Sequence, residues 1–158
     1  MAEAATLEVV STSTQVSELT TYYAKWAAGT GLIPVPIVDL AAVTAVQLKM
    51  LRRLAKIHGV DYDDSSGKCL IGALLGAIVP AKLGYASAGS LVKMVPIVGP
   101  LVGIVVTPAF NYASTLAVGR VFNQHFAAGG TLFTFDTDAT REHFRQEFEK
   151  AKEDAPAE

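Results

Sequence analysis

The stretch from Met94 to Gly119, MVPIVGPLVGIVVTPAFNYASTLAVG, contains no charged residue. As an unbroken helix it would be about 39 Å long, more than the roughly 30 Å of a bilayer core. Pro96, Pro100 and Pro108 interrupt it, with Gly99 and Gly103 beside them. Proline inside a helix removes a hydrogen bond and clashes with the preceding turn, which argues against one straight span. The rest of the chain must shelter this segment, in a protein core or in lipid. The apolar run from Cys69 to Ala81 is too short to cross a bilayer comfortably. Lys82 and Lys93 lie between the two runs and must reach a polar surface, so a shallow or re-entrant hairpin over residues 69–119 fits better than two full spans.

The chain has 158 residues, of which 51% are apolar and 18% charged, with a formal net charge of -2. That is one domain, expected over residues 15–152 between flexible tails at 1–14 and 153–158. There is no basic excess to favour nucleic acid as a partner. The opening MAEAATLEVVSTST lacks the basic flank and apolar run of a secretory signal. A single cysteine, Cys69, fits a reducing compartment.

Helical spacing of Val16, Leu19, Tyr23 and Trp26 predicts a short amphipathic helix stopped at Gly29-Thr30-Gly31. Pro34 and Pro36 hold the next piece extended. A helix is then expected from about Asp39 to His58, with Leu40, Val43, Gln47, Met50, Leu51, Leu54 and Ile57 inward and Gly59 ending it. Lys49, Arg52, Arg53 and Lys56 form a basic stripe along its second half, as at a membrane interface. The turn from Asp61 to Ser66 caps a helix over Gly67 to Val79, ended by Pro80. Gly72 and Gly76 there, like Gly99 and Gly103 in the central stretch, have the small-xxx-small spacing of close helix packing. The central segment is expected to turn helical near Pro100 and to run past Arg120 to Gly129-Gly130. Thr131 to Phe135 alternates and reads as a short extended strap. Asp136 to Asp138 caps a last helix with Phe144, Phe148 and Ala151 inward and an Arg145–Glu149 pair outward. Val35-Pro36-Ile37-Val38 recurs as Val95-Pro96-Ile97-Val98, which would relate two Pro-led helices by pseudo-symmetry unless the match is chance. The fold class is therefore all-α, a multi-helix bundle with an apolar hairpin and one strap near 131–135.

No catalytic signature emerges. Gly67-Lys68-Cys69 imitates a phosphate loop, but Tyr62 stands where its first glycine belongs and Cys69 where Ser or Thr is needed. Asp61 to Ser65 imitates a calcium loop without the glycine at its sixth position or the closing glutamate. Cys69 sits in a helix's first turn beside Lys68, where a thiolate is favoured, yet no histidine is near in sequence. His58, His125 and His143 show no metal-ligand spacing. No enzyme activity, metal or cofactor is expected.

Four pieces occur together: Pro34-x-Pro36-x-x-Asp39-Leu40 leading to Gln47-Leu48-Lys49-Met50-Leu51; Gly67 to Gly76; Val95 to Gly99; and Gln124 to Phe133 with Phe135-Asp136. With these the chain, from about Gly29 to Lys150, resembles the bacterial domain-of-unknown-function family related to YcjF, often fused to or encoded beside Era-like or Ras-like GTPases. The resemblance implies a helical, often membrane-associated domain without established enzymatic activity, and a link to a GTPase on a separate chain. It supplies no catalytic residues.

Two functional expectations follow. In the first, a non-enzymatic scaffold or adaptor docks its hairpin at the cytoplasmic face of the inner membrane. Lys49, Arg52, Arg53, Lys56, Lys68 and Arg120 then lie near the headgroups, and the domain self-associates or receives a GTPase. In the second, the chain is a soluble cytoplasmic interaction module or homo-oligomer subunit whose apolar stretch is protein core.

Overall fold

A computed structural model describes residues 2–30, 36–78 and 108–156. These form five α-helices, α1 (Ala2–Thr30), α2 (Pro36–Ile57), α3 (Asp64–Ile78), α4 (Pro108–Ala127) and α5 (Thr137–Glu153), and no strand occurs among them. Most of the expected hairpin, including Gly99, Gly103 and the second Val-Pro-Ile-Val, lies outside the described residues.

α4 is the axis of the bundle. Asn111 to Gly119, nine consecutive residues, are all buried, because α1, α2, α3 and α5 all pack against this helix. The described end of the apolar stretch is thus protein core. Around it Met50, Leu51 and Leu54 of α2, Ile71 and Leu74 of α3, and Phe144 of α5 are almost wholly removed from water. Each such side chain contributes about 1.5–3 kcal/mol of transfer free energy. Gln47, also fully buried, reaches from α2 to Thr115 Oγ1 of α4 at 3.2 Å.

Helix ends are set by local chemistry. α2 and α4 each stop with a glycine in the left-handed region, Gly59 at φ 65° and Gly129 at φ 84°. The amide of the following residue closes each end, Val60 N donating to Ala55 O at 2.8 Å and Gly130 N to His125 O at 2.9 Å. At helix starts, Asp63 Oδ2 accepts from Ser66 N at 2.8 Å and Asp136 Oδ1 from Ala139 N at 2.9 Å.

Several expectations need correction. α1 is 29 residues long and begins well before Val16, so residues 2–14, expected as a tail, are helical. Trp26 is 59% exposed instead of facing inward; Val16, Thr20, Tyr23, Ala24 and Ala27 form the buried side. Thr20, Ala24 and Ala27 on that side are small, and at Thr20 α1 lies close against α4: a Cβ added at Gly119 would come within 2.5 Å of Thr20 Cγ2. Residues 131–135 make a turn, not an extended strap. Thr131 N donates to Thr134 Oγ1 at 2.8 Å and Thr134 N to Thr131 Oγ1 at 3.3 Å, so side chains satisfy amides that a strand would offer to a partner. Leu132 and Phe135 are buried while Phe133 is 80% exposed, and Phe135 stacks on Phe122 at 4.4 Å. Arg145 pairs with Glu142, not Glu149, and its Nε donates to Ala77 O at 2.8 Å on α3. Glu149 pairs with Lys152.

Candidate functional site

The outer face of α1 and α2 joins two features that sequence spacing keeps apart. The helices run antiparallel: neighbours of Gln15, Glu18 and Leu19 on α2 are Lys56 and Ile57, whereas those of Trp26 are Val46 and Lys49. Two adjoining hollows lie along this seam. One, of about 480 Å³, is lined by Tyr22, Tyr23, Trp26, Val46, Lys49, Arg52 and Arg53. The other, of about 610 Å³, includes Glu18, Tyr22, Arg53 and Lys56. Arg53 and Tyr22 border both.

The aromatic side is built by Tyr22 and Trp26, four residues apart on α1 and both more than half exposed, with ring centroids 6.3 Å apart. Tyr22 also meets Tyr23 edge to face at 5.3 Å. On the basic side, the Arg53 guanidinium lies 5.9 Å from the centre of the Tyr23 ring. Lys49, Arg53 and Lys56 have no ion-pair partner among the described residues. Arg52 differs: its Nη2 donates to both oxygens of Asp64 at 2.8 Å, and its guanidinium lies 5.4 Å from the Tyr62 ring centre. The Arg52 hydrogen bond holds the Asp64 carboxyl below its ordinary value and raises Arg52 in turn. Burial, then the adjacent Asp64 carboxylate, pushes the Tyr62 phenol up to about 12. Arg52 is thus half-spent on fixing α3 to α2.

Of the six basic residues singled out from sequence, the structure brings Lys49, Arg52, Arg53 and Lys56 together. Lys68 is exposed on α3, near enough for its charge to help lower Asp64. Arg120 stands apart, with Nη2 2.7 Å from Asp154 and Nη1 3.8 Å from the buried Glu147. Gly72 and Gly76 are exposed, and among the described residues nothing lies within 4 Å of an added Cβ at either; a close helix approach is found at Gly119. Sequence reasoning missed the outward role of Tyr22 and Trp26. Their four-residue spacing was the available signal, but it serves an inner and an outer stripe equally.

The other chemically capable groups do not converge. His58 Nε2 lies 2.8 Å from Asn123 Oδ1, His125 Nε2 2.9 Å from Thr131 O, and His143 Nε2 2.5 Å from Gln124 Oε1. Cys69 is exposed. Among the described residues no three His, Cys, Asp or Glu side chains are placed to hold a metal ion. No described helix is long and apolar enough to cross a membrane.

Fold and face together define an all-helical bundle domain with a basic groove flanked by exposed aromatic rings. The chain belongs to the family described as Domain of unknown function (DUF697), which matches residues 3–129. It is similar to Magnetosome membrane protein 22 of Magnetospirillum gryphiswaldense, with 39% identity over 130 residues, covering 82% of this chain and 67% of that protein. No solved structure matches the chain.

Proposed function

We propose that this protein is a non-enzymatic, membrane-associated helical domain that docks through its α1–α2 face and acts there as a scaffold or adaptor. The observation that carries this reading is the juxtaposition of exposed Tyr22 and Trp26 with Lys49, Arg53 and Lys56. Amphipathic rings settle at the headgroup level, and unpaired cations are drawn to an anionic leaflet. The name of the magnetosome relative, a membrane protein, supports the same assignment. The cytoplasmic side of the inner membrane is the surface proposed, and a GTPase on a separate chain, as the YcjF-related resemblance implies, is the partner proposed. The test is fractionation of the protein at native levels, with membranes washed first in high salt and then in alkaline carbonate. Release by salt is the expected result for a face held by charge and interfacial rings. Retention through both washes would mean insertion by another segment, and absence from the pellet would overturn membrane association.

A second reading is favoured by the first half of α1. Val9 and Val10 are 68% and 55% exposed on α1. An isolated helix of this length is marginal in water, so a second copy packed against it would stabilise it. A concentration-dependent mass in sedimentation equilibrium, lost on Val9→Asp with Val10→Asp, is the outcome that supports self-association.

A further inference from the structure

We infer that the hollow between Trp26, Tyr22, Lys49 and Arg53 is a seat for the phosphate of an anionic phospholipid headgroup, with Trp26 entering the interface beside it. The inference rests on the membrane reading above and adds to it a ligand class and a location.

Charge and shape distinguish the two hollows of the α1–α2 seam. Two hollows are available, but the larger includes Glu18, whose negative charge opposes a phosphate. Among the described residues, the smaller one has no carboxylate in its lining. Of its three cations, Arg52 is occupied by Asp64, which leaves Lys49 and Arg53, one turn apart on α2, to face an anion. Arg53 suits a phosphate better than a lone ammonium does, because its planar fork offers parallel N–H donors to two oxygens. The Tyr23 ring beneath the guanidinium limits its freedom before any ligand arrives. Across the hollow, Tyr22 and Trp26 present apolar ring surface with polar edges, which match the glycerol and upper acyl region next to a phosphate. A purely aqueous anion would leave these rings without a role.

Trp26 is the chain's single tryptophan, so its fluorescence reports on this hollow alone. The experiment mixes the full-length protein with vesicles of phosphatidylcholine, with and without phosphatidylglycerol, and follows both co-sedimentation and the Trp26 emission. A blue shift and co-sedimentation with phosphatidylglycerol vesicles only are expected. Arg53→Glu, checked for unchanged far-ultraviolet dichroism, should weaken partition about tenfold or more, as two charge units near an anionic surface require. Lys49→Glu should act in the same direction, and Arg53→Lys should fall between. Equal binding to both vesicle types would overturn headgroup recognition while leaving membrane association intact. So would co-sedimentation with an unchanged Trp26 spectrum, which would put the contact on another face. Failure to sediment with either vesicle would sink the membrane reading itself. A Trp26 shift that grows with protein concentration in the absence of lipid would make the occupant a second copy and overturn the inference.

Discussion

At Gly119 the bundle leaves no room for a side chain. A methyl group there would meet Thr20 Cγ2 at 2.5 Å and Met50 Sδ at 3.1 Å, atoms of two different helices. The methionine end can swing away, but the threonine is fixed by its hydroxyl, which donates to Val16 O at 2.9 Å and to Ser17 O at 3.1 Å. Gly119→Ala gains up to about 1 kcal/mol of helix propensity and loses about 1–3 kcal/mol to overpacking. The net expectation is destabilisation of roughly 1–2 kcal/mol, read as a lower denaturant midpoint with an unchanged slope. Thr20→Ser removes the clashing methyl and keeps the hydroxyl. In the Thr20→Ser background, where contacts of 3.1 Å to the Cβ of residue 20 and to Met50 Sδ remain, Gly119→Ala should cost less than in the parent chain, a coupling that a double-mutant cycle measures directly. Additive effects would show that α1 can shift away from α4 and that the contact is not tight. The residue is hard to find from sequence: Gly72 and Gly76 have the recognised small-xxx-small spacing, while Gly119 is one glycine in an apolar run. What makes it tight is the Thr20 methyl, supplied by a helix ninety-odd residues earlier in the chain.

At the scale of elements, the start of α3 is where pH enters. Ser66 N–H holds the Asp63 carboxyl below its ordinary 3.8, and Arg52 does the same for Asp64. A carboxyl with a lower pKa folded than unfolded adds stability above the unfolded value. That stability is lost as pH falls from about 3.8 through the lower folded values. Thermal midpoints should accordingly decline in acid. Asp63→Asn keeps a good capping side chain but no longer titrates, so its midpoint at neutral pH should stay close to that of the parent while its decline in acid is shallower. An identical acid decline in the variant would remove Asp63 from the account. This helix start was legible in sequence, as were Asp136 and the glycine stops of α2 and α4, because each depends on residues a turn away. The first half of α1 was not. Its Val, Ser and Thr content lowers helix propensity and reads as a polar tail. In the folded chain Ser11 and Thr12 donate back to Glu8 O, and Ser13 and Thr14 to Val10 O. Likewise the alternation of Thr131 to Phe135 reads as a strand because period alone does not show two threonines closing a turn on each other.

Across the whole molecule, the basic residues divide into those that hold the bundle together and those that face outward. Spacing along the chain cannot make that division, since Arg120 and Arg53 each lie in a helix with an apolar face and each suits a headgroup. Packing makes it. Arg120 lies between α4 and the end of α5, bound to Asp154 at 2.7 Å and close to Glu147, a buried carboxylate otherwise served by Lys150 at 2.9 Å. Arg53 lies on the seam of α1 and α2 with an aromatic ring beneath it and no carboxylate partner among the described residues. The two substitutions should therefore fail in opposite ways. Arg120→Ala leaves Glu147 with one ion-pair partner and frees Asp154, which should cost about 1–2 kcal/mol and lower the melting midpoint by several degrees. Its partition to phosphatidylglycerol vesicles, measured well below the melting midpoint, should match that of the parent chain. Arg53→Glu should leave the midpoint within about 0.5 kcal/mol, as is usual for an exposed position, while membrane recovery drops. Raising the salt concentration should imitate Arg53→Glu and not Arg120→Ala, because screening weakens contacts made through water far more than a partly buried pair. If Arg120→Ala released the protein from vesicles without lowering its melting midpoint, the docking surface would have to extend to the α4–α5 edge. The α1–α2 groove would then be one part of a wider cationic face.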